Sequence, residues 1–418
     1  MQLEPHPQAK NGSDLWSDRL KALSHAELQL HYLAEGAANI IYSVSVPVPS
    51  AATAELDLQE IARLCVLRLR KDLPSTKPAV EVMRDFEERI TPLFSGHEGL
   101  LLKQTLYGLT PKMVESANAE LRQMEKMAED SSSSTSSTNK TEIANATRPQ
   151  PRPRHRHHVC LPPYEKEQYG ILMQNLKAPT DDSGVDHVEL VEFKPKWLVQ
   201  SPSAPQDATM CRTCALNAMR RKAGKHQGRG DSGFCPFDLL AGSEENHVLQ
   251  RALEKIYPET TKDFVAAFRQ RVQPALKHLA KLQREYGSVG LDDFRDPNPQ
   301  GKHLDLAMAL RDCSVFLGLR RGMVRDPDPP SGHLQSGDQQ RAADCQGHGH
   351  EMTQDAVDLV DVKFADLDLK TPEAGKLHKW AALEQELLDN GWYYCDSQWE
   401  GEGSNCALSR HRPKKASS

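Results

Sequence analysis

The sequence predicts a mixed fold of helices and strands, α/β (α+β) in content and divided into two or three structural units, and three observations predict it. The chain has 418 residues, 38 % of them hydrophobic, enough for more than one core. Runs that alternate apolar and polar residues recur near 65–70, 187–198 and 357–370, the period of half-buried strands. Stretches with apolar residues about four apart lie among them, the period of amphipathic helices. The 27 prolines and several polar tracts add local insertions to this frame.

Along the chain, Trp16–Gln29 has the pattern of a short helix, and HYLAEGAANIIYSVSV (31–46) that of strand, small-residue turn, strand. In ARLCVLRLRK, Val66, Leu67 and Leu69 anchor a strand whose other face carries Arg68 and Arg70. VEVMRDFEERITPLF (80–94) spaces Val82, Phe86 and Ile90 as one face of a helix. A mixed-charge helix then runs into SSSSTSSTNKT, a low-complexity insertion, and into RPQPRPRHRHH (148–158), a basic, proline-rich segment expected to stay solvated. YGILMQNL reads as a buried strand, HVELVEFKPKWL (187–198) as another, and residues 211–222 and 244–288 as helices. DLAMALRDCSVFLGLRR runs from helix or loop into a strand. Residues 326–352 form a second expected loop insertion, VDLVDVKFADLDLK is strand-like, and LHKWAALEQELLDNGWYYC is an amphipathic helix. The expected division is an N-terminal lobe over 1–129, a low-complexity basic linker over 130–158 and a C-terminal lobe over 159–418.

Composition excludes several classes. No stretch approaches the roughly 20 apolar residues of a membrane-spanning helix, and MQLEPHPQAKNGSD lacks the basic and apolar regions of a secretory leader. Nine cysteines without a framework fit a reducing compartment, so cytoplasm or nucleus is expected. A net charge of −6 repels nucleic acid and anionic lipid overall, so any anionic ligand needs a local cluster of Lys and Arg.

Four constellations carry chemistry. In Glu192-Phe-Lys194-Pro-Lys196, a strand would project both lysines to one face, where two ammonium groups call for an anion. In Asp366-Leu-Asp368-Leu-Lys370 the same alternation gathers two carboxylates and an ammonium, suited to a divalent cation beside a phosphate. Asp312, in Arg-Asp-Cys-Ser, stands at the mouth of an apolar strand. The small residues of Glu35-Gly-Ala-Ala-Asn39 let a backbone approach a nucleotide phosphate, although neither common glycine-loop spacing is present. Each has an ordinary reading when taken alone: solvated strand faces for the charges, a cap for the aspartate, a plain turn for the glycine. Cys211-x-x-Cys214 lacks a second such pair, and Cys345-x-x-His-x-His350 lies in the second insertion, so no zinc is expected.

Taken in order, EGAANIIY, VLRLRK, GLLLKQTL, YGILMQNL, VEFKPKWL, CRTCALNAMRR, CPFDLLAG, AMALRDCSVFL and DLDLK resemble the successive motifs of inositol-pentakisphosphate 2-kinases, fungal-type members included. The resemblance implies a two-lobed inositol polyphosphate kinase-like fold with ATP between the lobes and magnesium on its phosphates. It implies as substrate inositol 1,3,4,5,6-pentakisphosphate, phosphorylated at the 2-hydroxyl to inositol hexakisphosphate, by a monomer that needs neither membrane nor nucleic acid. By motif position, Glu35, Gly36, Ala38 and Asn39 cover the nucleotide, Arg68 reaches phosphate, and Met173 and Asn175 stand near the adenine. Lys194 is catalytic and, with Lys196, Arg220, Lys370 and Arg156 (or Arg154), binds phosphates. Asp312 orients or deprotonates the hydroxyl and shares magnesium with Asp366 and Asp368. Five phosphates at about −1.5 to −2 each bring roughly −8 to −10 charges, so about five basic groups from separate segments must converge. After DLDLK the family's Arg and Tyr are missing, leaving Lys376 or Lys379 as substitutes, and the zinc-ligand set of plant members is not found.

The competing expectation is a non-catalytic scaffold of kinase-like fold that binds inositol polyphosphates or phosphoinositides. Asp312 and Asp366 argue against it, because carboxylates hinder pure anion binding. The lack of HRD and DFG elements argues against a protein kinase.

Overall fold

The computed structural model describes residues 12–47, 54–133, 152–177, 188–224, 233–296, 303–322, 356–370, 376–394 and 406–410. The insertion at 326–352 and most of 130–158 lie outside them.

Two antiparallel sheets organise the described residues. The first contains β1 (Gln29–Glu35), β2 (Asn39–Ser45), β3 (Cys65–Arg70), β4 (Gln104–Gly108) and β5 (Tyr169–Gln174) in the order β1-β2-β3-β5-β4. The second contains β6 (Val188–Phe193), β7 (Ser314–Gly322) and β8 (Ala356–Ala365) in that order. Helices α1 (Gly12–Ser24), α2 (Ala54–Arg63), α3 (Ala79–Asp85) and α4 (Pro111–Ser133) pack on the first sheet. The remaining helices are α5 (Arg212–Lys222), α6 (Asn246–Glu254), α7 (Lys262–Ala267), α8 (Gln273–Glu285), α9 (Leu291–Arg295), α10 (Leu304–Asp312), α11 (Lys376–Asp389) and α12 (Ala407–Arg410).

Each sheet has its own core. Leu23, Tyr42, Leu67, Leu121 and Leu172 fill one, and Phe264, Phe268, Leu276, Leu279, Val315, Leu317 and Phe364 the other, all with at most 1 % of their surface exposed. The alternation in VLRLR is realised, with Val66, Leu67 and Leu69 buried and Arg68 and Arg70 half-buried. Gly170 of β5 lies close under the buried side chains of β3: a Cβ there would stand 2.4 Å from Leu69 Cδ2, so any larger residue would displace the Leu69 side chain.

Several expectations are corrected. The sheets do not divide at 158/159, because β5 sits inside the first sheet between β3 and β4. The segment 86–101, assigned to the N-terminal lobe, buries Ile90, Phe94 and Leu101 in the second core, and Arg89 pairs with Asp305 at 2.5 Å. The helix expected over 80–94 is three pieces, α3 followed by a π turn at Phe86–Ile90 and a 3₁₀ turn at Thr91–Phe94. The first helix ends at Ser24, and Gln29 already belongs to β1. Arg152, in the segment expected to stay solvated, is 3 % exposed. Both KPK and DLDLK lie beyond their strands: β6 ends at Phe193 and β8 at Ala365.

Candidate active site

Antiparallel register brings the charged segments together. Phe193 pairs with Val315, and Val315 with Phe364, so the end of β6, the start of β7 and the end of β8 share one edge of the second sheet. Chain leaving or entering that edge is Lys194-Pro-Lys196, Asp312-Cys313 and Asp366-Leu-Asp368. Strand alternation, the sequence's reason for placing the lysines together, is therefore not what does it. Lys196 and Asp366 have left-handed backbones, with φ of 57° and 59°, an uncommon conformation for residues with a Cβ. Asp366 directly follows β8 and Lys196 lies three residues past β6. Strain of this kind clusters at functional sites.

Lys194 Nζ donates to the Asp312 carbonyl at 2.7 Å and to Asp366 Oδ2 at 3.0 Å, and Lys196 Nζ to Asp312 Oδ1 at 2.9 Å. Burial raises the carboxyl pKa of Asp312, but Lys196 and Lys194 outweigh it and hold the group below its ordinary value, with Lys370 adding to the same field. Burial works against the charge of Lys194, and the two aspartates reverse that effect and raise its pKa. Lys194 and Asp312 are therefore both held in their charged forms. Arg68 Nη1 reaches Asp368 at 3.0 Å, so the first sheet is tied to the segment that follows β8. Lys194, Lys196 and Lys370 thus share one charged cluster with Asp312 and Asp366, and the Arg68–Asp368 pair lies two residues along the chain from Asp366. The cluster's half-exposed carboxylate oxygens are hard donors suited to magnesium.

The hairpin at 35–39 is present, but Glu35 does not face a ligand. Its side chain is fully buried, paired with Lys71 and with Arg152 (Nε to Oε1 2.9 Å), while Arg152 also pairs with Glu125. Burial raises the Glu35 pKa, and the hydrogen bonds from Arg152 and Lys71 more than reverse it. Lys71 further straps the turn, with Nζ on the Gly36 carbonyl at 2.9 Å and its backbone N–H on the Ala38 carbonyl at 2.8 Å. Arg156, expected to bind substrate, donates to the Glu35 carbonyl. Gly36 itself does not have a positive φ, and a Cβ there would meet only the Asn39 carbonyl, at 3.9 Å. The fold does not require glycine at this position.

Residues 32–289 and 273–386 match the inositol-pentakisphosphate 2-kinase family. The chain belongs to this family. An inositol-pentakisphosphate 2-kinase of Yarrowia lipolytica (strain CLIB 122 / E 150) is 30 % identical over 259 residues, 58 % of this chain and 69 % of that protein. As a member of the inositol-pentakisphosphate 2-kinase family the chain is a kinase.

Three further expected residues of this kinase lie elsewhere. Met173 pairs with Val66 in β5, and the Asn175 N–H donates to the Leu64 carbonyl at 2.8 Å, at the end of the first sheet. Arg220 is in the last turn of α5. At the start of that helix stands a group that the sequence reading set aside for want of the partners Cys235 and Cys406. Cys211, Cys214, Cys235 and Cys406 place their sulfurs within 4.8 Å of one another, three of the four buried. Cys211 and Cys235 are 3.8 Å apart, Cys235 and Cys406 3.9 Å. Two thiolates on a tetrahedral zinc at about 2.3 Å are about 3.8 Å apart, and a disulfide is about 2.0 Å long, so the spacing fits a metal cage. Burial of three of the four sulfurs disfavours their thiolate forms, a cost that a divalent cation would remove. The expectation of no zinc rested on the lack of a second CxxC. The partners instead come singly, from the CPFDLLAG segment and from near the C-terminus.

Proposed function

We propose that this kinase transfers the γ-phosphoryl group of ATP to the 2-hydroxyl of inositol 1,3,4,5,6-pentakisphosphate at the cluster of Lys194, Lys196, Asp312 and Asp366. The observation that carries the assignment is the convergence of two lysines on two aspartates at one sheet edge, in a member of a family of that name. Asp312, held ionised, is a weak base at neutral pH. Its part is to orient the hydroxyl and accept its proton late, as bond formation to phosphorus acidifies it. Lys194 and Lys196 would carry the charge of the transferring phosphoryl group, with Lys370 and Arg68 at the flanks. Asp366, with Asp368 or Asp312, would hold magnesium, which supplies charge neutralisation at the nucleotide phosphates. Neither the family match nor the Yarrowia relative supports the scaffold alternative.

The test is magnesium- and ATP-dependent turnover of the pentakisphosphate by purified protein, with Asp312→Asn and Lys194→Met beside it. Formation of inositol hexakisphosphate that falls about 10²–10⁴-fold in each variant is expected. Wild-type binding without transfer, or full activity of Asp312→Asn, would overturn the assignment. For the cysteine cage we propose a structural zinc, because four protein sulfurs leave no coordination position for a substrate.

A further inference from the structure

A single buried amide joins the two segments on which the proposed chemistry depends. Gln283 lies on α8, among inward-facing Ala275, Leu276, Leu279, Ala280 and Leu282, and its surface is 0 % exposed. Its Nε2 donates to the Lys196 carbonyl and to the Leu310 carbonyl, each at 2.9 Å, and its Oε1 accepts from the Leu198 N–H at 2.8 Å. Three of the four hydrogen-bonding positions of the amide are thus used. Their partners are the backbone on either side of Trp197 in the KPKW segment and a carbonyl in the last turn of α10, two residues before Asp312.

The groups held are ones that regular structure leaves over. Lys196 is left-handed and lies outside any strand, and Leu310 presents one of the carbonyls that a helix end cannot pair internally. A second tie joins the same segments. The Arg311 guanidinium lies 3.6 Å from the Trp197 ring centroid, while its Nη2 donates to the carbonyls of Gly287 and Val289, just past the end of α8. The end of α8 is thus a frame, and Lys196 and Asp312 hang from it on adjacent hooks.

We propose that Gln283 is the positioning residue for the Lys196–Asp312 pair, fixing the left-handed turn of Lys196 against the end of α10. A filler of this core would be Leu or Met, which carry no polar group to desolvate. A buried amide is maintained by its partners, and all three belong to Lys196 or to residues two positions from Lys196 or Asp312. The inference rests on the reading of Lys196 and Asp312 given above.

The experiment measures kcat and KM for ATP, with melting temperature, for Gln283→Met, Gln283→Glu, Asp312→Asn and Leu276→Ala. Leu276 is a fully buried residue of the same helix with no polar role. Gln283→Met keeps the volume and loses the three bonds: kcat is expected to fall at least tenfold with KM for ATP within threefold, and to fall further than in Leu276→Ala for the same loss of melting temperature. Gln283→Glu keeps the acceptor for Leu198 but has a donor only when protonated. Its kcat relative to wild type is expected to rise at least threefold between pH 8 and pH 6, and this variant decides the matter if Gln283→Met does not fold. A kcat loss in Gln283→Met no greater than in Leu276→Ala, or a ratio for Gln283→Glu that is flat with pH, would overturn the proposal. If Asp312→Asn keeps its activity, the reading of the reaction centre fails instead.

Discussion

Asp312 is held in its charged form by Lys196 and Lys194, and that dependence can be measured without substrate. A carboxylate whose folded pKa lies below its unfolded value contributes stability that is present above the unfolded pKa and lost as pH falls through the folded one. Lys196→Met removes the hydrogen bond at 2.9 Å and one of the two nearest cations, so the folded pKa of Asp312 moves up. The wild type should therefore melt higher than Lys196→Met at neutral pH. The gap should hold above about pH 5 and narrow below about pH 4, as Asp312 is protonated. Melting curves without added magnesium or nucleotide across this range check it, with Lys196→Met in an Asp312→Asn background as the control that should show no such narrowing.

At the scale of elements, the hairpin joining β1 and β2 separates what the fold needs from what a ligand needs. Gly36→Ala meets no close neighbour and no forbidden φ, so melting temperature is expected to stay within about 2 °C of wild type. If this turn covers nucleotide phosphates, the added methyl group instead raises KM for ATP severalfold, and an unchanged KM removes the turn from the nucleotide site. Arg152→Ala should do the reverse. It leaves Glu35 and Glu125 buried without their shared guanidinium, and a broken buried ion pair costs about 3–5 kcal/mol, visible first in denaturant melts. These elements also show what the sequence disclosed. The hairpin and the VLRLR strand were legible because period-two alternation is local. The fate of Glu35 was not, since Lys71, Arg152 and Glu125 come from separate segments and meet only in the folded chain. Arg152 sits in a proline- and histidine-rich stretch whose composition signals solvation, and the charge of two buried glutamates overrides that signal. Lys194 and Lys196 do meet, but not by strand alternation: the strand stops at Phe193, and both lysines converge on Asp312.

For the whole molecule, the decisive long-range contacts are those between segments far apart in the chain. Arg68 to Asp368 joins the two sheets across the proposed site, and the cysteine cage joins α5 and the CPFDLL turn to α12 near the C-terminus. The Cys211 N–H donates to Cys406 Sγ at 3.2 Å, and Arg410, one turn beyond, pairs with Asp238 beside Cys235, so the closure is made twice. Arg212, next to Cys211, pairs with Glu384 on α11 at 2.7 Å and stacks 4.4 Å from Trp197, which lies beside Lys196. A metal that fixes Cys211 therefore fixes, through one residue, the packing behind the reaction centre. Purified protein should carry one zinc per chain by elemental analysis. A strong chelator or Cys406→Ser should lower the melting temperature and expose the region around 406–410 to protease, with kcat falling because Trp197 loses a fixed neighbour. Zinc should restore the chelated wild type but not Cys406→Ser. A chain that carries no metal as isolated, and melts identically with and without chelator, would reduce the cage to four clustered thiols, leaving the Arg410–Asp238 pair to hold α12 in place.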